Sequence, residues 1–193
     1  MLASDKQFDK SNTFDDFLEQ IINLYNDGKF KKVIFYSNKY LEKNPPSHQL
    51  YNILGITYNK LNNSKLAFDS YSKAINIEPN FAVSYFNLGL LFHEQNSFDH
   101  AIENYKKAIS LNPNYIDAIF NLASVLKENG QDKQAINVYR SLLKKDYNHI
   151  DTHYNLGVIF KPDIITKEYY LTEVVEIAYK DDLKIDLIQI DEK

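Results

Sequence analysis

The sequence predicts an all-α protein, an α-solenoid built from helix-turn-helix units that repeat every 34 residues. Three sets of residues keep this step along the chain. The prolines do so at Pro45, Pro79 and Pro113. A leucine followed by a small residue does so at Leu54-Gly55, Leu88-Gly89, Leu122-Ala123 and Leu156-Gly157. An alanine and a tyrosine four residues apart do so at Ala67 and Tyr71, Ala101 and Tyr105, and Ala135 and Tyr139. Several independent positions with one period indicate stacked repeats.

The most complete unit is 82–113. At helical spacing, one face of its first helix carries Tyr85, Leu88, Gly89 and Phe92. One face of its second helix carries Ala101, Tyr105, Ala108 and Ile109. Asn96-Ser97 lies between the two helices, and Pro113 closes the unit because proline cannot continue a helix. A pair of this kind cannot bury its apolar face alone, so the units are expected to stack.

Composition limits the classes of function. The 193 residues carry a net charge of −4, which gives no general attraction for nucleic acid or anionic membranes. The chain has no cysteine, which excludes disulfides, thiolate metal sites and a cysteine nucleophile. Its first residues lack the apolar core of a signal peptide, and no run is long enough for a membrane span. We expect a cytoplasmic protein with protein or peptide partners, and neither nucleic acid nor membrane among them.

The pattern resembles the tetratricopeptide repeat, through Tyr51-x2-Leu54-Gly55-x2-Tyr58, Ala67-x3-Tyr71 and Pro79. Units of this kind begin at residues 14, 48, 82, 116 and 150. The resemblance implies a right-handed solenoid whose first helices line a concave groove. The repeat domain is expected to cover 14–161, after a flexible N-terminus at 1–13.

Two parts of the chain depart from the repeat. Unit four has Tyr147 where the closing proline is expected, so its second helix is predicted to run closer into the next unit. Unit five begins well but has Pro162 inside the expected end of its first helix. We therefore predict a divergent C-terminal helix and tail at 162–193. The segment 183–190 alternates like a strand.

The resemblance also implies which residues face the groove: the second, fifth, sixth and ninth positions of each unit. Units three to five pair an aromatic residue with an asparagine at the fifth and sixth positions. Each amide can donate to a peptide carbonyl and accept from a peptide N–H, so a row of amides binds main chain. The predicted peptide-binding residues are Asn52, Phe86, Asn87, Leu90, Asp117, Phe120, Asn121, Asp151, Tyr154 and Asn155. An amide row that simply faces water is the alternative.

This asparagine row is similar to the repeat arm of O-GlcNAc transferases, which grips the backbone of extended peptides. The sequence therefore predicts an interaction scaffold that binds an extended segment in its groove. The alternative is the substrate-recruiting arm of a glycosyltransferase-, sulfotransferase- or hydroxylase-type enzyme whose catalytic domain is not in this chain. A scaffold that self-assembles through other surfaces is a third possibility. The chaperone-binding repeats that clamp a C-terminal carboxylate are a poor match, because Asp117 stands where a lysine belongs.

No catalytic motif is present, so we expect no enzyme activity, catalytic residue, cofactor or metal site. His149 and His153 are four residues apart, but Ile150 occupies the position of the glutamate in the H-E-x-x-H motif. We expect His153 to pack inside its unit. His93 is expected near the rim of the groove, in contact with water.

Overall fold

The computed structural model describes residues 13–160, and every regular element in this range is an α-helix. The predicted N-terminal extension before residue 13 and the predicted helix, strand-like segment and tail of 162–193 lie outside the described residues. The described helices, numbered here in chain order, are α1 Phe14–Asn26, α2 Phe30–Leu41, α3 His48–Lys60, α4 Ser64–Ile77, α5 Ala82–Glu94, α6 Phe98–Leu111, α7 Ile116–Glu128, α8 Asp132–Leu143 and α9 Ile150–Phe160.

The five odd-numbered helices begin 34 residues apart, at Phe14, His48, Ala82, Ile116 and Ile150. We call these the first helices and α2, α4, α6 and α8 the second helices. This arrangement confirms the predicted all-α solenoid of helix-turn-helix repeats. The chain divides into two compact units, one up to Val138 and one from Tyr139. They are described separately below.

Within the larger unit, consecutive helices from α1 to α7 pack against one another, and α3 also contacts both α1 and α5. The first helices of adjacent repeats therefore lie side by side. The core contains fully buried aliphatic residues such as Ile21, Leu50 and Leu91, together with Tyr105. The exposed polar sides of the helices remain outside this core, as expected for amphipathic helices.

Glycine in the first helices allows the two helices of a repeat to approach closely. A Cβ placed on Gly89 would lie 2.7 Å from Cδ1 of Tyr105, and one placed on Gly55 would overlap the ring of Tyr71 in the same way. Both tyrosines are buried. The recurring Leu-Gly pair and the tyrosine 16 residues later are thus two sides of one contact, repeated in units two and three.

The turn inside each of the first four repeats has the same backbone geometry. The residue at its centre has a positive φ: 71° at Gly28, 57° at Asn62, 56° at Asn96 and 71° at Gly130. In each case its N–H donates to a carbonyl three residues earlier, and the next N–H donates to a carbonyl five residues earlier. This is the Schellman motif, which satisfies the last carbonyls of a helix and needs a residue that tolerates the left-handed region. Glycine and asparagine are the residues that do so most readily.

The start of α1 is held by a capping box. The Thr13 hydroxyl accepts from the Asp16 N–H at 3.1 Å, and the Asp16 carboxylate accepts from the Thr13 N–H at 3.2 Å. The hydroxyl of Ser47 caps α3 and the side chain of Asn63 caps α4. These residues satisfy backbone donors that would otherwise lack a partner.

The prediction for the end of unit four is wrong. Helix α8 ends at Leu143, and α9 begins only at Ile150, so the two helices do not run closer together. The N–H groups of Lys145 and Asp146 both donate to the Leu142 carbonyl at 2.8 Å, which closes α8 in a turn. The loop is then tied to α9 because Nε2 of His153 donates to the Tyr147 carbonyl at 2.7 Å. A connection of this kind needs no proline.

Candidate functional site

Asn52 and Asn87 join the first helices α3 and α5 through their side chains. Oδ1 of Asn52 accepts two hydrogen bonds, from Nδ2 of Asn87 at 3.0 Å and from Oγ of Ser84 at 3.2 Å. Asn52 is buried and Ser84 is fully buried, whereas Asn87 is half-buried. The acceptor of Asn52 is therefore used inside the protein. Asn87 keeps its own Oδ1 and a second N–H, which bond to nothing among the described residues.

The other two asparagines of the predicted row bond to their own helices. Nδ2 of Asn121 donates to the backbone carbonyl of Asp117 at 2.7 Å, one turn earlier in α7. Nδ2 of Asn155 donates to the carbonyl of Asp151 at 2.9 Å in α9. Position five explains the difference, because the residue before Asn121 in the stack is Phe86 and offers no acceptor of the kind that Asn52 provides. In the described part of the chain, Oδ1 of Asn121 makes no hydrogen bond.

The predicted aromatic contacts are not equivalent to one another. The ring of Phe86 is half-buried between two tyrosines, with its centroid 4.9 Å from that of Tyr115 and 5.9 Å from that of Tyr105. Phe120 is also half-buried, whereas Tyr154 on α9 is 71% exposed. Burial, and secondly the Asp117 carboxylate, raises the pKa of Tyr115. Phe86 thus contributes to packing between repeats as well as to the surface.

The remaining predicted residues lie at the surface of the first helices. Asp117 and Asp151 are exposed, each in the first turn of its helix, where a carboxylate is favoured by the helix dipole. Leu90 is half-buried on α5, three residues after Asn87. Asn87 and Leu90 share a face because residues three apart are neighbours on a helix.

His93 is not in contact with water in the way the sequence suggested. Its side chain is only 18% exposed, and Nε2 lies 2.9 Å from Oε2 of Glu128 on the next first helix. Nδ1 lies 3.5 Å from the hydroxyl of Tyr105. One repeat earlier, Nδ2 of Asn59 donates to Oε2 of Glu94 at 2.9 Å. These pairs are 35 residues apart, a spacing that could have identified them in the sequence.

An apolar pocket of about 200 Å³ lies between α1 and α3 and was missed by the sequence reasoning. It is lined by Ile22, Tyr25, Ile53 and Ile56, and no polar surface contributes to its wall. Ile22 and Ile56 are the ninth positions of units one and two, and Ile53 is a sixth position. The signal was present in the sequence: these groove positions are apolar in the first two units, and the sixth position is asparagine in the later ones.

The histidine pair at 149 and 153 has a structural use. Nδ1 of His149 accepts from the N–H of Thr152 at 3.3 Å and lies 2.9 Å from its hydroxyl, at the beginning of α9. The ring of His153 packs edge-on against Tyr147. Between residues 13 and 160 there is no group of three side chains suited to hold a metal ion. Over the same range, every helix is too short or too polar to cross a membrane.

Comparison with known proteins agrees with this geometry. A family model described as a TPR repeat matches residues 55–96 and 89–130, and one described as a tetratricopeptide repeat matches 117–147. The chain carries tetratricopeptide repeats. No curated protein matches the sequence. The more specific resemblance to the arms of O-GlcNAc transferases stays a prediction.

Several solved structures of tetratricopeptide repeat proteins have a similar fold. MamA is 23% identical with a TM-score of 0.70, over 83% of this chain and 95% of that one. PilF of Pseudomonas aeruginosa is 20% identical with a TM-score of 0.72, over 81% and 70% of the two chains. YrrB, described as a TPR protein with an unusual peptide-binding site, is 17% identical with a TM-score of 0.63, over 80% and 86%. These likenesses establish the fold.

Proposed function

We propose that this protein is a non-enzymatic interaction module that binds an extended segment of a partner protein along the first helices. The observation that carries this proposal is the state of two amides on adjacent first helices. Asn87 and Asn121 each use one N–H within the protein, and each retains Oδ1 and a second N–H for a ligand. An oxygen and an N–H on one side chain match the donor and acceptor of a peptide unit.

The internal bonds of these amides favour binding, because they fix the side chains before a ligand arrives. An amide that is already oriented loses less conformational freedom on binding than one that rotates freely. Leu90 lies one turn beyond Asn87 and supplies apolar surface beside the amides. The description of YrrB as a peptide-binding protein of the same fold supports this choice of ligand.

In α9, Tyr154 and Asn155 repeat the pairing of an aromatic residue and an amide. Tyr154 is largely exposed, and Nδ2 of Asn155 makes the same one-turn bond to its own helix as that of Asn121. We assign these residues, with the exposed Asp151, to the same kind of contact with a partner. Asn52 is assigned a supporting role, because its oxygen holds Asn87 in place.

The test is selection of binders from a random dodecapeptide display library on the intact chain, followed by calorimetry with the selected peptides. Asn121→Ala removes an amide that bonds only to its own helix, so the fold should be unaffected. We expect affinity to fall about two- to tenfold, as for loss of one hydrogen bond. Asn76→Ala is the matched control, since Asn76 is an exposed amide on the second helix α4. A selection without binders, or equal affinities for both variants, would contradict the proposal.

A further inference from the structure

The pocket between α1 and α3 has the size and chemistry of a site for one apolar side chain. Its volume is about 200 Å³, below the range of roughly 300–1,000 Å³ that is usual for small-molecule sites. Three isoleucines and a tyrosine line it, so nothing in the wall can bind a polar group. Ile22 is 42% exposed, an unusual setting for a large aliphatic side chain at a concave surface. A bulky aliphatic or aromatic group from another molecule would cover it.

Carboxylates lie at both ends of this pocket. Glu19 is exposed and stands one turn before Ile22 on α1, so the two share a face. It makes no side-chain hydrogen bond or ion pair within residues 13–160. At the other end, Asn59 lies one turn beyond Ile56 on α3 and holds the exposed carboxylate of Glu94 at 2.9 Å. A ligand in the pocket therefore meets negative charge on either side.

The charge of the larger unit is divided between its two sets of helices. The first helices α1, α3, α5 and α7 carry six acidic and two basic residues, a net charge of −4. The second helices α2, α4 and α6 carry seven basic and three acidic residues, a net charge of +4. The surface that contains the pocket is thus the acidic one. Complementary charge raises the rate of association and excludes acidic partners.

From the pocket and the charges together, we infer that the groove selects a basic segment, in which one bulky apolar side chain enters the Ile22–Ile53–Ile56 pocket and flanking lysine or arginine residues meet Glu19 and Glu94. This inference rests on the proposed function and adds its specificity. The amides of Asn87 and Asn121 bind main chain without regard to sequence, and the pocket with its carboxylates supplies the choice of sequence.

The test uses three synthetic capped decapeptides, identical except for the cores Lys-Ser-Leu-Ser-Lys, Lys-Ser-Ala-Ser-Lys and Glu-Ser-Leu-Ser-Glu. Each is titrated into the intact, isotope-labelled chain and followed by backbone amide NMR shifts. We expect the first peptide to shift the amides of Ile22, Ile53 and Ile56. The alanine peptide should bind about tenfold more weakly because it buries less apolar area, and the glutamate peptide more weakly still. Equal affinity of all three, or shifts elsewhere only, would overturn the inference.

Two variants with matched controls locate the effect. Ile22→Gln should weaken the leucine peptide about tenfold, whereas Leu66→Gln, at a comparably exposed leucine on α4, should not. Glu19→Lys should weaken it two- to fivefold at low salt and less at high salt, whereas Asp69→Lys on α4 should have no such effect. Binding that depends on Asn121 but is indifferent to Ile22 and Glu19 would overturn this inference and leave the proposed function standing. A dimer in sedimentation that Ile22→Gln dissociates would assign the pocket to a second copy instead, and would also overturn it.

Discussion

Nδ2 of Asn87 donates a 3.0 Å hydrogen bond to Oδ1 of Asn52, one repeat earlier, and this bond crosses between two first helices. The same oxygen accepts from the buried hydroxyl of Ser84. The Asn row is therefore not uniform: its first member is part of an internal network, and Asn121 bonds only to its own helix. The first two predictions follow from this difference and from the packing behind it.

Replacing Asn52 should destabilise the protein more than replacing either asparagine of the predicted row. In Asn52→Leu the hydroxyl of Ser84 loses its acceptor, and a buried donor left without a partner costs about 1–3 kcal/mol. Asn87→Ala removes one bond to an oxygen that keeps another, for about 0.5–1.5 kcal/mol. Asn121→Ala should be close to neutral. Urea unfolding followed by circular dichroism measures all three, and equal midpoints for the three variants would refute this order.

Gly89→Ala should be destabilising even though alanine is the better helix former. The new methyl group would lie 2.7 Å from a buried ring of Tyr105 that has no room to move. Overpacking of this kind typically costs about 1–3 kcal/mol. Gly157→Ala is the natural control, because its Cβ would meet nothing among the described residues and gains helix propensity of about 1 kcal/mol. Thermal unfolding of the two variants should shift in opposite directions; a parallel shift would show that the glycine–tyrosine contact is unimportant.

The Schellman turns give a prediction about backbone conformation. Asn62 has a φ of 57°, and alanine in that region is less favourable than asparagine by roughly 1 kcal/mol. We expect Asn62→Ala to lower the free energy of unfolding by about this amount, and Asn62→Gly to keep or slightly raise it. Denaturant titration of both variants is sufficient. The idea fails if alanine and glycine are tolerated equally well at residue 62.

The sequence carried the fold because its signal is repeated. The Leu-Gly, Ala and Tyr positions recur with one period, so each unit supports the interpretation of the next, and the helices begin where the units do. The site was less accessible, since its contacts join residues in different repeats. His93 looked solvated because its partner, Glu128, is 35 residues away. The pocket was missed because Ile22 lies in a degenerate unit whose ninth position had no consensus to compare with.

Two buried tyrosines predict loss of stability in alkali. Burial, and secondly the Glu94 carboxylate, raises the pKa of Tyr71 and of Tyr105 well above the ordinary value of 10.0. Above pH 10 the unfolded chain loses these protons while the folded chain keeps them, so the unfolded state binds fewer protons and stability falls as pH rises. The contribution is fully present below pH 10.

Stability against urea, measured at several pH values on either side of pH 10, should therefore decrease above this pH. The tyrosinate absorbance of the folded protein should show two groups that ionise only as the chain unfolds. Tyr71→Phe should lessen the pH dependence while keeping the ring beside Gly55. A pH dependence that is unchanged in this variant would mean that Tyr71 has no part in it.

The bond between Asn52 and Asn87 also bears on how repeats of this protein could be lost or gained. Excision of 82–115 would remove one whole unit in register and bring Asn121 to the place of Asn87. An amide would still be available to Oδ1 of Asn52, but Ala118 would replace the hydroxyl of Ser84. Shortening the array by a unit is therefore compatible with half of this junction, whereas a deletion of any other length would lose all of it.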